Sequence, residues 1–107
     1  MVFSLRCLAL YRALPRSQES KAFGVQMLRS SSSVGANHRE ACRARSQAEF
    51  LAKMGDCLKE LDETSYWLEL IRRGELMAAE RLEGLEREAD ELIAIFVTVV
   101  NKNRRNS

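Results

Sequence analysis

Apolar residues recur along the chain at steps of three and four, the spacing that lines one face of an α-helix. Phe3, Cys7, Leu10 and Leu14 form the first stripe, and Pro15 ends it, because the residue before a proline avoids the helical region. This predicts a helix over about 2–14. Phe23, Met27, Ser30, Val34, Asn37 and Ala41 form a second stripe, predicting a helix over 18–44 with Ser17 as its N-cap and Glu19 at its positive end. The middle of that stripe, Ser30 to Ala36, has poor intrinsic helix propensity. Small residues there let another backbone come close; the alternative, a serine linker, lacks the glycine repeats of a flexible one.

Ser46-Gln47-Ala48-Glu49 is a capping box, in which the serine caps the helix and the glutamate reaches back. Phe50, Met54, Cys57, Leu61, Thr64, Leu68 and Ile71 then predict a helix over 47–73, closed by Gly74 with Arg72 and Arg73 at its negative end. Leu82, Leu85, Ala89, Leu92, Phe96 and Val99 predict a fourth helix over 76–102, followed by a basic tail, 103–107. The β-branched run Ile93 to Val100 is strand-like in composition, but the helical period overrides it.

Each stripe must leave water, and short connections make neighbouring helices antiparallel. The expected fold is therefore all-α: an antiparallel, up-down-up-down four-helix bundle forming a single domain over 1–107. Stripes of this spacing suit crossing angles near 20°.

Composition agrees with a globular chain: of 107 residues, 46% are hydrophobic and 30% charged, too apolar for disorder and too charged for a membrane protein. The longest nearly uncharged apolar run, Leu92 to Val100, falls well short of the roughly 20 residues a bilayer requires. The apolar start, Met1 to Leu10, is broken by Arg6 and lacks a secretory cleavage signature. No membrane partner and a cytoplasmic location are expected. Cys7, Cys42 and Cys57 are odd in number and contain no CxxC, which argues for buried free thiols acting as small hydrophobes. Charge is uneven. Residues 1–45 hold eight cations and two carboxylates (+6), residues 46–100 hold six and thirteen (−7), and residues 101–107 add +3. The basic part suits an anionic partner, or the acidic part of another copy.

Candidate chemistry is sparse. His38 is the one histidine, and Cys42 lies four residues on, a two-ligand face that makes a poor zinc site without a second pair. Di-iron bundles need Glu-x-x-His from two helices, and no glutamate precedes His38 by three. No metal or cofactor is expected. Glu60 and Glu63 share a face and Glu40 sits in the second helix, but on helices this charged a solvated or ion-paired face is commoner than acid–base chemistry. With no phosphate-binding glycine loop and no nucleophile elbow, an enzyme is not expected. Arg29, Arg39, Arg43, Arg45 and Lys53 concentrate around the end of the second helix and the start of the third, a patch suited to the phosphates of RNA or DNA. No aromatic residue interleaves with them, so base stacking is not indicated. The competing reading is a structural or protein-binding adaptor with no nucleic-acid role, whose arginines pair with Glu60, Glu63 or the acidic fourth helix. Tyr66 and Trp67 flank the Leu61–Leu68 stripe, so at least one ring points off the core, as interface aromatics do.

Leu28-Arg29-Ser30, Ser33-Val34-Gly35-Ala36-Asn37 and Arg39-Glu40-Ala41 resemble the second helix of the four helix bundle protein family, which includes proteins encoded in intervening sequences of bacterial ribosomal RNA genes. The likeness continues through Arg45-Ser46, Ala48-Glu49-Phe50, Lys59 to Thr64 and Tyr66 to Leu70, and Leu10 to Pro15 is similar to the end of the family's first helix. That helix usually begins earlier, so Met1 falls inside it. Ser31-Ser32 stands where Gly-Thr is common, and His38 where an aromatic or aliphatic residue is common. The resemblance implies a ring-forming homo-oligomer, a pentamer, without enzymatic activity. Some relatives accompany a reverse transcriptase and nucleic acid in diversity-generating retroelements, as accessory variability determinants.

Overall fold

A computed structural model describes residues 1–105 of the chain. Four helices, α1 (Val2–Ala13), α2 (Gln18–Cys42), α3 (Gln47–Arg73) and α4 (Glu83–Arg105), run up-down-up-down in a rod of 47 × 19 × 18 Å. Each packs on the next, and α4 returns to α1. No strand occurs among the described residues. The helical period therefore does override the β-branched composition of Ile93–Val100, which lies inside α4.

The two serine caps hold. Ser17 accepts from the Ser20 N–H at 3.1 Å, and Ser46 from the Glu49 N–H at 3.1 Å. Glu49 reaches back, but to the N–H of Arg45 (3.2 Å), one residue before the cap. The ends of α1 and α2 fall at Ala13 and Cys42, slightly before the expected Leu14 and Ala44.

The start of the fourth helix differs more. In place of a helix from Leu76, residues 74–82 form a connection with one 3-10 turn, Ala79–Arg81. Gly74 keeps a right-handed conformation, and Glu75 makes the left-handed reversal with φ of 57°. The N–H of Leu76 bonds the Ile71 carbonyl and that of Glu75 the Arg72 carbonyl, each at 3.1 Å, the pattern that satisfies a helix's last acceptors. Ala78 is extended. These residues are good helix formers, so propensity does not make the break. The chain must reverse, and in doing so it buries Leu82 and lays Leu76 and Met77 on the core. The expected tail begins as the last turn of α4, through Arg105; its last two residues lie outside the described ones.

The main core joins Cys7, Met27, Leu61, Leu68, Ile71, Leu82 and Ala89, and a smaller one near the other end joins Ala41, Met54 and Val100. Between α2 and α3 runs a buried polar seam. Thr64 Oγ1 lies 2.7 Å from Ser30 Oγ and 2.8 Å from the Glu60 carbonyl, and Ser30 Oγ lies 3.2 Å from the Met27 carbonyl. Small residues also receive α1. Gly24 lies beneath Tyr11 and Leu14, and Ser4 Oγ donates to the Ser31 carbonyl at 2.9 Å. At about 1.5 Å per residue, α1 covers about 18 Å of an α2 roughly twice as long. An open cleft beside Met1 and Ser4 follows α2 along Gly35, His38, Arg39, Cys42 and Arg43.

Candidate nucleic-acid interface

The structure separates the five cations that the sequence groups together. Arg29 faces α3, where its guanidinium binds Glu63 and reaches Glu60 at 3.4 Å. The Glu63 hydrogen bond holds the guanidinium above its ordinary pKa. Lys53 Nζ lies 2.6 Å from Glu40 Oε2, and that bond likewise raises the ammonium pKa. These two cations have taken the pairing role. Arg39, Arg43 and Arg45 are exposed, and no carboxylate among the described residues comes within ion-pair distance of their side chains.

The bundle adds cations that lie far away in sequence. Because α4 runs antiparallel to α3, its C-terminus returns to the α2–α3 turn, and Gln47 Nε2 donates to the Asn103 carbonyl there. Lys102, Arg104 and Arg105 thus share one end of the rod with Arg39, Arg43 and Arg45. The nearby carboxylates are engaged: Glu40 with Lys53, and Glu49 with the Arg45 N–H. The sequence signal for the added residues is the basic tail itself; placing it requires the antiparallel return of α4. At the other end, Arg12, Arg16 and Lys21 line a shallow cleft with Tyr11 and Pro15. That end also carries Glu75, Glu80 and Glu83 of the α3–α4 connection, so its charge is mixed.

The family model described as 23S rRNA-intervening sequence protein matches residues 1–98. The chain belongs to this family. A crystal structure of a protein of unknown function from the S23 ribosomal protein family of Bacteroides thetaiotaomicron is similar to it, with a TM-score of 0.85 and 38% identity over 92% of this chain and 91% of that one. No curated protein matches.

In this intervening-sequence protein Glu60 and Glu63 are structural partners of Arg29, and Glu63 Oε1 also lies 3.4 Å from the Trp67 indole nitrogen. Trp67 is half-buried and stacks on Phe23 at 6.0 Å, whereas Tyr66 is 58% exposed and meets Trp67 edge-on at 5.1 Å. Of the two aromatics, Tyr66 is the one that points off the core. Val2, Leu5 and Ile95, on α1 and α4, are more than half exposed as well. Among the described residues, no helix is long and apolar enough to cross a membrane.

Proposed function

We propose that this intervening-sequence protein is a non-enzymatic, self-associating cytoplasmic bundle that holds nucleic acid by its phosphates at the basic end of the rod. The observation that carries the reading is the gathering of Arg39, Arg43, Arg45 and Lys102 at one end without carboxylate partners among the described residues. Self-association draws support from exposed Tyr66, Val2, Leu5 and Ile95; repetition of the basic end in an oligomer adds avidity without new contacts. Binding of this kind follows the backbone and not the bases, so it is weak per subunit, tolerant of sequence and steeply salt-dependent.

The test is Arg39→Ala/Arg43→Ala, titrated by gel shift against duplex and single-stranded RNA and DNA at several salt concentrations, with mass measured by light scattering. Cations in the last turn of a helix also complement its dipole, worth about 0.3–1 kcal/mol each, so a small stability loss is expected on either reading. On the binding reading the variant keeps its mass but binds less, and the slope of log affinity against log salt falls by about 1.8 if two duplex phosphate contacts are lost. An unchanged affinity and slope would refute the proposed contact. A parent mass of 12.2 kDa at micromolar concentration would refute self-association.

A further inference from the structure

We infer that the cleft at the corner between α1 and α2, at the opposite end of the rod from Arg39 and Arg43, binds the diphosphate group of a small ligand such as a nucleoside diphosphate. The cleft has a volume of about 450 Å³, within the range of about 300–1,000 Å³ usual for small-molecule sites. Three cations reach it from three consecutive segments: Arg12 from the last turn of α1, Arg16 from the connection and Lys21 from the first turn of α2. All three are exposed, and no carboxylate among the described residues comes within ion-pair distance of them. A diphosphate ester brings about three negative charges at neutral pH, one for each cation. Tyr11, Leu14 and Pro15 supply an apolar wall beside the cations for the organic part of the ligand.

A second observation in the same cleft also calls for an acceptor. Ser17 Oγ accepts from the Ser20 N–H at 3.1 Å and lies 2.9 Å from Ser20 Oγ. The two hydroxyls own two protons but make one hydrogen bond between them, and neither reaches another acceptor among the described residues. Whichever hydroxyl donates, the proton of the other is left over. Ser20 is fully buried and both serines border the cleft, so the unused donor sits at its floor. Buried donors without an acceptor are rare, and a phosphate oxygen in the cleft would supply one. The positive end of the α2 dipole acts in the same direction. Glu19, in that first turn, is exposed and does not line the cleft. Glu75, Glu80 and Glu83 at this end of the rod oppose a long polyanion laid across it, but a small ligand fits inside the cleft without crossing them.

The experiment titrates the isotope-labelled full chain with ADP, AMP and sodium sulfate at matched ionic strength, without divalent metal, and follows the amide resonances by NMR. The expected result is saturable binding of ADP, with shifts concentrated in residues 11–21 and an affinity about tenfold above that of AMP, which offers one phosphate fewer. Arg16→Ala/Lys21→Ala removes two exposed cations and should weaken ADP binding by about tenfold while circular dichroism stays that of the parent. Ser17→Asp keeps an acceptor for the Ser20 N–H but replaces a hydroxyl donor by a negative charge, and should lose binding without losing the helix cap. Arg39→Ala/Arg43→Ala, at the other end of the rod, should bind ADP like the parent. Shifts spread over both ends, sulfate binding as tight as that of ADP, or undiminished binding by Arg16→Ala/Lys21→Ala overturns the site. Equal affinity for AMP and ADP overturns the diphosphate assignment.

Discussion

Gly24 and Gly55 offer one substitution with two expected outcomes. Both lie inside long helices, where alanine is favoured over glycine by about 1 kcal/mol. Gly55 is exposed on α3, and a Cβ there would meet nothing within 4 Å. Gly55→Ala should therefore gain the full amount. Gly24 is buried where α1 crosses α2, and a Cβ there would stand 2.8 Å from Leu14 Cδ1 and 2.9 Å from Tyr11 Cδ1. Leu14 Cδ1 is the end of a flexible side chain, but the Tyr11 ring can withdraw only by tilting or by lifting α1. Overpacking of this kind costs roughly 1–3 kcal/mol. Set against the propensity gain, Gly24→Ala should range from neutral to about 2 kcal/mol less stable than the parent. The two variants should thus differ by about 1–3 kcal/mol. Urea unfolding followed by circular dichroism measures this, with the slope against urea expected to stay constant. Trypsin adds a local readout, since a lifted α1 exposes the Arg12 and Arg16 bonds to faster cleavage. If Gly24→Ala gains as much stability as Gly55→Ala and is cut no faster, Tyr11 and Leu14 do not pack on Gly24 and the docking of α1 is wrong.

Three further outcomes can be measured by unfolding. Glu75 pays for its left-handed φ of 57° with strain of roughly 1–2 kcal/mol, so Glu75→Gly should stabilise by about 1 kcal/mol after the greater freedom of glycine in the unfolded chain is deducted; an unchanged melting temperature would place the reversal elsewhere. Ser46→Ala removes the acceptor of the Glu49 N–H and should cost about 1 kcal/mol, visible in the urea midpoint. The alkaline limb should report the buried thiols. Cys7 and Cys57 are raised from 9.0 to about 11 in the fold, so their contribution is complete below pH 9 and is lost as pH rises from 9 towards 11, where the unfolded chain sheds protons that the folded one retains. Cys42, expected from the sequence to be buried like the other two, is exposed on α2 and should react at once with a thiol reagent, the other two cysteines only on unfolding.

Much of the bundle was legible because a helix advertises its buried face at short range. The stripe through Met54, Cys57, Leu61, Thr64, Leu68 and Ile71 is the buried face of α3, and Ser17 and Ser46 both cap the helices expected after them, Ser46 three residues before its Glu49. The connection after α3 was not legible. Leu76 to Leu82 contains no proline or glycine, and its break comes from contact between Leu76, Met77, Leu82 and a core assembled from distant helices. The same divide runs through the candidate interface. Arg39 and Arg43 announce a shared face by their spacing of four. Whether Arg29 meets Glu63, or Lys53 meets Glu40, depends on the alignment of α2 with α3, which neither helix encodes alone. The approach of Lys102 to the α2–α3 turn depends in addition on where the break before α4 falls.

Helices with plain aliphatic stripes can slide past one another by a turn and still find apolar partners. The Ser30–Thr64 pair removes that freedom from α2 and α3. In the observed alignment Ser30 donates to the Met27 carbonyl, and Thr64 has its one hydroxyl proton within reach of both Ser30 Oγ and the Glu60 carbonyl. Shifted by a turn, each would face an aliphatic neighbour and keep only the carbonyl of its own helix, losing a cross-helix hydrogen bond worth about 0.5–1.5 kcal/mol. One hydroxyl pair therefore acts as an index mark between two otherwise repetitive helices. Every cross-helix match that depends on the same alignment inherits its accuracy, including Arg29 on Glu63 and Lys53 on Glu40. Drift in this mark would scramble the surface charge pattern while leaving the helix content of the protein almost unchanged.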